Sequence, residues 1–249
     1  MKWNWLIVLL LTGFLSACAT SPTQLHNEQS ADANAELGLR YMMQGNNELA
    51  MEKLKRALSF DDQSVKANHY IAELYRRLER YDDAEKHFRI ALSNDRNNPD
   101  LNNNFGVFLC NREKYDESEK YFLKVLDDPV YQGRAQAYEN LGMCQERAGH
   151  ADKAEDYFRR ALNINQNLPK SLTGLMKIYF ERKDYLTTRA FLQRYDQIAR
   201  HTPETLWIGI QTERVLGDKN ALASYALLLK NSFPNSPEAE LYRQSEKQP

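Results

Sequence analysis

The chain has 249 residues, with 33 Lys and Arg against 34 Asp and Glu, 42% hydrophobic residues, 10 Gly and 8 Pro. Because the two signs of charge nearly balance, the chain has no basic field for a phosphate backbone, and nucleic acid is not an expected partner. Its 14 Tyr and 10 Phe are too many for a disordered chain. Its 3 Cys are too few for the disulfide scaffold of a small secreted protein.

The N-terminal segment has the pattern of a lipoprotein signal peptide. Lys2 gives a positive start, and the apolar run over residues 3–14 is well short of the ~20 residues that a membrane-spanning helix needs. The run closes on Leu15-Ser16-Ala17-Cys18, which resembles the bacterial lipobox. That resemblance implies removal of residues 1–17 and acylation of Cys18 with palmitate-type chains, a stable membrane anchor. The alternative is an ordinary secretory peptide with an incidental Cys.

The segment that follows Cys18 indicates where the anchor takes the protein. Ala19 and Thr20 come next, without an Asp directly after the cysteine. By resemblance to Gram-negative lipoproteins, this implies sorting to the outer membrane, with the folded body in the periplasm. Residues 19–30 are almost entirely polar, so residues 18–30 are predicted to form a lipidated tether.

From about Ala31 the sequence repeats. Small or apolar residues recur 34, 34, 36, 34 and 34 residues apart, at Ala50, Ala84, Ser118, Ala154, Thr188 and Leu222. Thirteen positions before them lie Leu37, Ile71, Phe105, Leu141, Leu175 and Gly209. The pattern resembles the tetratricopeptide (TPR) repeat in six units, at residues 31–64, 65–98, 99–132, 133–168, 169–202 and 203–236, followed by a cap or tail at 237–249.

Each unit is predicted to be two short amphipathic helices, because apolar residues recur at spacings of three and four. Since a single helix pair cannot bury its own apolar face, the units should stack into an all-α, right-handed superhelical solenoid with a concave inner surface. Gly45, Gly149 and Gly217 mark the turns between helices. The 36-residue step predicts a longer loop near Gly133. Unit six is degenerate and open to a one-residue shift, and a capping helix is expected to follow it through Leu241 and Tyr242.

No pattern of catalytic or cofactor-binding residues is present in the sequence. There is no nucleophile elbow, zinc-protease motif, dinucleotide fingerprint or phosphate loop. The five His are scattered without carboxylates or Cys at metal-ligand spacing. We therefore expect no enzyme activity, no metal, no cofactor and no small-molecule substrate.

The remaining class of function is protein binding, on the concave face of the predicted solenoid. In repeats of this type, positions 2, 5, 9, 12 and 13 of the first helix face the groove. The predicted groove residues are Leu39, Met42, Met43, Arg76, Arg77, Asn103 and Val107, and the same positions supply Met143, Arg147 and Lys170. The apolar group in unit one suits an amphipathic helix or apolar strand. The alternative is that unit one, lacking a preceding repeat, packs these residues under the tether.

Cys110 and Cys144 lie 34 residues apart in neighbouring units. They occupy positions 12 and 10 of their repeats, which differ by about 200° around a helix. The favoured interpretation is therefore that the two cysteines are small buried residues without a bond between them. A disulfide is the alternative, because an oxidising compartment would permit it.

The combination of lipobox, short tether and six repeats resembles the PilF/PilW family of type IV pilus biogenesis and stability lipoproteins, the pilotins of the secretin pore. The first unit begins Ala35-Glu36-Leu37-Gly38-Leu39-Arg40-Tyr41, and residues 104–110 and 138–144 are particularly similar to that family. The resemblance implies binding of secretin subunits, which are brought to the outer membrane and promoted to multimerise. The alternative is a TPR scaffold lipoprotein of β-barrel assembly or of cell-wall enzymes.

Overall fold

A computed structural model describes residues 21–246 of the chain, and within that range every regular element is a helix. The residues fall into two compact units that divide between Asn94 and Asp95. The first unit contains α1 (Pro22–Met43), α2 (Asn47–Phe60), α3 (Val65–Arg77) and α4 (Tyr81–Asn94). The second contains α5 (Pro99–Asn111), α6 (Tyr115–Leu126), α7 (Arg134–Arg147), α8 (Ala151–Ile164), α9 (Pro169–Glu181), α10 (Tyr185–Asp196), α11 (Pro203–Leu216), α12 (Lys219–Ser232) and α13 (Pro237–Glu246).

Each odd-numbered helix up to α11 packs against the even-numbered helix that follows it, which confirms the all-α TPR fold. Where the two helices of a pair come closest, a small residue of one helix faces a large residue of the other. A Cβ added to Gly142 would lie 2.6 Å from the Phe158 ring, and that ring is fully buried. The absence of a side chain at Gly142 is therefore what lets α7 and α8 approach.

The sixth helix pair keeps this arrangement through a different pair of residues. Gly209 faces the ring of Tyr225, with the same separation of sixteen residues as between Gly142 and Phe158. Gly209 and Tyr225 each lie one position before Ile210 and Ala226, the residues that the repeat pattern aligns with Gly142 and Phe158, so this contact moves by one residue on both helices. Ala226 and Leu229 are nevertheless buried, so α12 keeps its expected inner face.

The turn between the two helices of each unit needs one residue with positive φ. Gly45 and Gly149 adopt 78° and Gly217 adopts 80°, as the sequence predicted. The equivalent positions in the other units hold Glu79, Glu113 and Lys183, at 58–60°. Those three residues satisfy the turn without glycine, so composition alone could not identify them.

Two connections depart from the regular pattern. The loop between α6 and α7, residues 127–133, is longer than the four-residue connection between α2 and α3, as predicted. Its Tyr131 hydroxyl donates a 2.7 Å hydrogen bond to Asp100 at the start of α5. At the C-terminal end, α13 packs on α11 and α12. It does so through buried Ala239 and Tyr242, whereas Leu241 is 47% exposed, so the prediction that Leu241 anchors the cap is wrong.

The predicted tether is partly helical. Residues 22–30 belong to α1, whose start is capped by Ser21 with Pro22 in the first turn. Their side chains are largely exposed, and Ala31 is the first buried residue of the helix. Residues 22–30 of the predicted tether are therefore an exposed part of α1. The signal segment and Cys18 lie outside the described residues.

Candidate functional site

The apolar group predicted in the first unit divides between core and surface. Met43 is 75% exposed and Leu39 is half-buried, whereas Met42 is only 4% exposed. Met42 continues the buried stripe of α1, which comprises Ala31, Ala35, Gly38 and Met42 at spacings of four, three and four. Met42 is therefore a core residue and is not available to a partner, contrary to its assignment to the groove.

The repeat pattern places Leu37 of α1 in the core, but the structure exposes it. Leu37 is 41% exposed, whereas Phe105 and Leu141, at the same repeat position, are fully buried. Among the described helices, α1 packs mainly on α2 and α3, and Leu37 remains open. Leu39 and Met43 are four residues apart and share one face of α1, while Leu37 lies on the opposite face.

The two predicted groove arginines of α3 both have partners within the first unit. The Arg76 guanidinium pairs with Glu73 at 2.9 Å. Arg77 Nη1 donates a 2.7 Å hydrogen bond to the backbone carbonyl of Met42. Because the last carbonyls of a helix lack partners within the helix and carry partial negative charge, Arg77 caps the end of α1. Arg77 thus fastens α1 to α3, whereas the ion pair of Arg76 lies within α3.

In the second unit, the predicted groove residues Asn103 and Val107 lie on α5 at the junction with α7. Asn103 Oδ1 accepts a 3.1 Å hydrogen bond from Asn140 Nδ2. Val107 is half-buried and lines a pocket of about 190 Å³, together with Cys110, Met143 and Lys170. Helices α5, α7 and α9 all contribute to this pocket, which is referred to below as the α5–α9 pocket.

The floor of the α5–α9 pocket is a disulfide bond between Cys110 and Cys144, whose Cα atoms are 5.7 Å apart. The favoured prediction of two separate buried cysteines is wrong. Neighbouring first helices lie side by side, so residues that meet must point from opposite faces of their own helices. The angular difference of about 200°, which counted against the bond, is the geometry that two facing side chains require.

Other inner-face side chains of α7 serve the structure of the second unit. The Glu139 carboxylate is buried and accepts a 3.0 Å hydrogen bond from the Ser171 backbone amide. The residue before α9, Leu168, offers no side-chain cap, so Glu139 caps α9 from the neighbouring helix. Arg147 Nη1 donates a 2.7 Å hydrogen bond to Asn111 Oδ1. Burial raises the pKa of the Glu146 carboxyl, and the Lys177 ammonium opposes that rise.

Residues 21–246 contain no group of three His, Cys, Asp or Glu side chains that could hold a metal ion. Nor does this range include a helix with the length and apolar character needed to cross a bilayer. The surfaces that stand out are the exposed apolar residues of α1 and the α5–α9 pocket, which suit contact with other polypeptides.

Comparisons with known proteins agree with this description. Family models described as tetratricopeptide repeat match residues 36–100 and 98–167. The type IV pilus assembly protein PilF of Pseudomonas aeruginosa is 30% identical over 243 residues, which cover 95% of this chain and 96% of that protein.

Two solved structures extend the match to three dimensions. The structure of PilF from P. aeruginosa superposes with a TM-score of 0.82 and 29% identity, covering 89% of this chain and all of that one. The crystal structure of PilW, described as a widely conserved type IV pilus biogenesis factor, gives a TM-score of 0.77 and 28% identity over 86% of this chain and 98% of that one. Because the alignment covers nearly the whole chain and the fold is shared, the chain belongs to the PilF family of tetratricopeptide-repeat proteins.

Proposed function

We propose that this protein is an outer-membrane lipoprotein that binds secretin subunits and promotes their localisation and multimerisation for type IV pilus biogenesis. The observation that carries the proposal is the similarity to a type IV pilus assembly protein along 95% of the chain. The sequence Leu15-Ser16-Ala17-Cys18 supports lipid anchoring at the N-terminus. Such a pilotin acts by binding, without catalysis.

The arrangement of α1 suits a lipid-anchored binder. Cys18 is only four positions before Pro22, where α1 begins. The exposed residues 22–30 would add about 14 Å of helix between the acylated end and the first repeat, at ~1.5 Å per residue. The first repeat is then the part of the described chain that stands nearest the membrane, and this is where a subunit destined for that membrane should be held.

The contact that we propose for the secretin centres on Leu39 and Met43. Together they offer an apolar face on α1, and fully burying such a side chain contributes ~1.5–3 kcal/mol. An amphipathic helix or an apolar strand of the partner would bury both, and the unbranched Met43 side chain can adapt to its shape. Met42 is excluded from this contact by its burial.

Co-purification from the bacterial envelope tests the proposal. The tagged wild-type protein should bring down secretin monomers, and Met43→Glu should reduce their recovery at least about tenfold, since ~1.4 kcal/mol of lost contact is enough for that factor. Leu227→Glu is the matched control, because Leu227 is 61% exposed but lies on α12. Circular dichroism verifies that both variants stay folded. Recovery of β-barrel assembly components or cell-wall enzymes in place of secretin would support the scaffold alternative and contradict the proposal.

A further inference from the structure

The α5–α9 pocket has the dimensions of a site for one or two side chains. Its volume of about 190 Å³ is below the ~300–1,000 Å³ that is typical for drug-sized ligands. Val107 and Met143 form apolar walls from α5 and α7, and the Cys110–Cys144 disulfide lies between them.

The rim of the pocket is cationic. Its lining includes Arg147 and Lys170, and among the described residues that line it there is no carboxylate. Arg147 donates to the neutral amide of Asn111, so its charge is not compensated by that contact. Lys170 is exposed and has no ion-pair partner within residues 21–246.

The acidic side chains nearest this rim in sequence are Glu139, which is hydrogen-bonded to Ser171, and Glu146, which is partly buried. The Glu139 carboxylate accepts hydrogen bonds from the backbone amide and the hydroxyl of Ser171. Glu146 is half-buried beside Arg147, and burial favours its neutral form. The pocket therefore offers positive charge at its edge beside the apolar side chains Val107, Phe122 and Met143, with Asn111 and Asn140 also in its lining.

The rate at which the disulfide is reduced can report whether the pocket is occupied. Cys144 is fully buried and Cys110 is 6% exposed, and both line the pocket. A reductant must therefore enter the pocket to reach the sulfur atoms. Anything that fills the pocket will slow reduction by blocking this approach.

We propose that the α5–α9 pocket binds an extended segment of a partner protein in which an acidic side chain lies next to a large apolar one, and that the bound segment shields the Cys110–Cys144 disulfide from reduction. The carboxylate contacts Lys170 and Arg147, and the apolar side chain lies on Val107 and Met143. This site is separate from the α1 surface proposed for the secretin. Its test needs only purified protein and defined peptides, so either proposal can fail alone.

The rate of disulfide reduction by a phosphine tests the site in the full-length protein purified in detergent. One probe is an acetylated, amidated hexapeptide of alternating Asp and Leu, and the control replaces Asp with Lys. At ten times the dissociation constant measured by calorimetry, the Asp peptide should slow reduction about elevenfold, the factor 1 + [L]/Kd. The Lys peptide should leave the rate unchanged. Equal effects of the two peptides, or no binding of the Asp peptide, would overturn the proposal.

A charge-reversal variant locates the effect at the pocket. Lys170→Glu alters an exposed side chain, so the protein should remain folded, and protection by the Asp peptide should disappear. Lys219→Glu is the matched control, because Lys219 is also exposed in the second unit but does not line the pocket. Retained protection in Lys170→Glu would show that the peptide binds elsewhere and would refute the assignment.

Discussion

Two junctions between neighbouring first helices are built differently in the two units. In the first unit, α1 and α3 are joined by polar contacts, the Arg77 hydrogen bond to the Met42 carbonyl and a 2.8 Å ion pair between Lys66 and Asp32. In the second unit, α5 and α7 are joined covalently by Cys110 and Cys144. The same repeat geometry can therefore be fastened by exposed polar contacts or by a bond that survives unfolding.

The difference matters for how each unit responds to a partner. The exposed Lys66–Asp32 ion pair contributes ~0–1 kcal/mol and is screened by salt, so the α1–α3 junction is easier to adjust than a covalent one. A disulfide restricts the unfolded chain and holds the α5–α7 junction in one arrangement. The adjustable junction carries the exposed apolar residues Leu39 and Met43, whereas the fixed one forms the floor of a pocket.

Removing the covalent junction should have the largest effect. Replacing both Cys110 and Cys144 with Ser opens a 34-residue loop, and the chain-entropy relation predicts a loss of about 3–4 kcal/mol in the free energy of unfolding. Urea titration followed by circular dichroism measures it. Dithiothreitol should destabilise the wild type by a similar amount and leave the double variant unchanged. A wild type indifferent to the reductant would contradict this role.

The second-largest loss of stability is expected from adding a methyl group between two paired helices. The size of this loss should differ between the two units. Gly142→Ala places a Cβ 2.6 Å from the Phe158 ring, which is also wedged against Gly174, so overpacking should cost about 2–3 kcal/mol. Gly38→Ala meets Leu54 at 2.5 Å, but a leucine can change rotamer, and we expect about 1 kcal/mol. Thermal unfolding compares the two. The opposite ranking would contradict the view that the Phe158 ring yields less readily than the Leu54 side chain.

Cutting the polar junction should have a smaller effect. Arg77→Met keeps most of the side-chain length but leaves the Met42 carbonyl without its charged donor, and should cost about 1–2 kcal/mol. Arg76→Met is the control, because its i,i+3 pair with Glu73 is worth at most about 0.5 kcal/mol. Urea titrations at low and high salt measure both. Equal losses for the two variants would mean that Arg77 does not cap α1.

The turn residues should give the smallest effects. Glu113→Gly relieves a positive φ of 60° at a side-chain-bearing residue and should stabilise by up to about 1 kcal/mol. Gly149→Ala imposes the same strain at a φ of 78° and should destabilise by a similar amount. Differential scanning calorimetry detects both shifts. Changes of the same sign would indicate that loop contacts, not backbone conformation, decide stability at this position.

The sequence predicted the helix pairs because a 34-residue period fixes which positions are apolar and where the chain must turn. It could not separate Met42 from Met43 by composition, but the buried stripe of Ala31, Ala35 and Gly38 carries that signal through its helical spacing. The sequence did not predict the disulfide, because the directions of the two cysteines were compared by their positions within one repeat. Facing residues on adjacent parallel helices need opposite directions in that frame.

The most direct test of the proposed function is the amount of detergent-resistant secretin multimer in the outer membrane of a strain lacking this protein. Expression of the wild-type chain should restore multimers. Cys18→Ala and Met43→Glu should each fail to restore them at equal protein levels, whereas Leu227→Glu should succeed. Undiminished multimers in the deletion strain would contradict the secretin role.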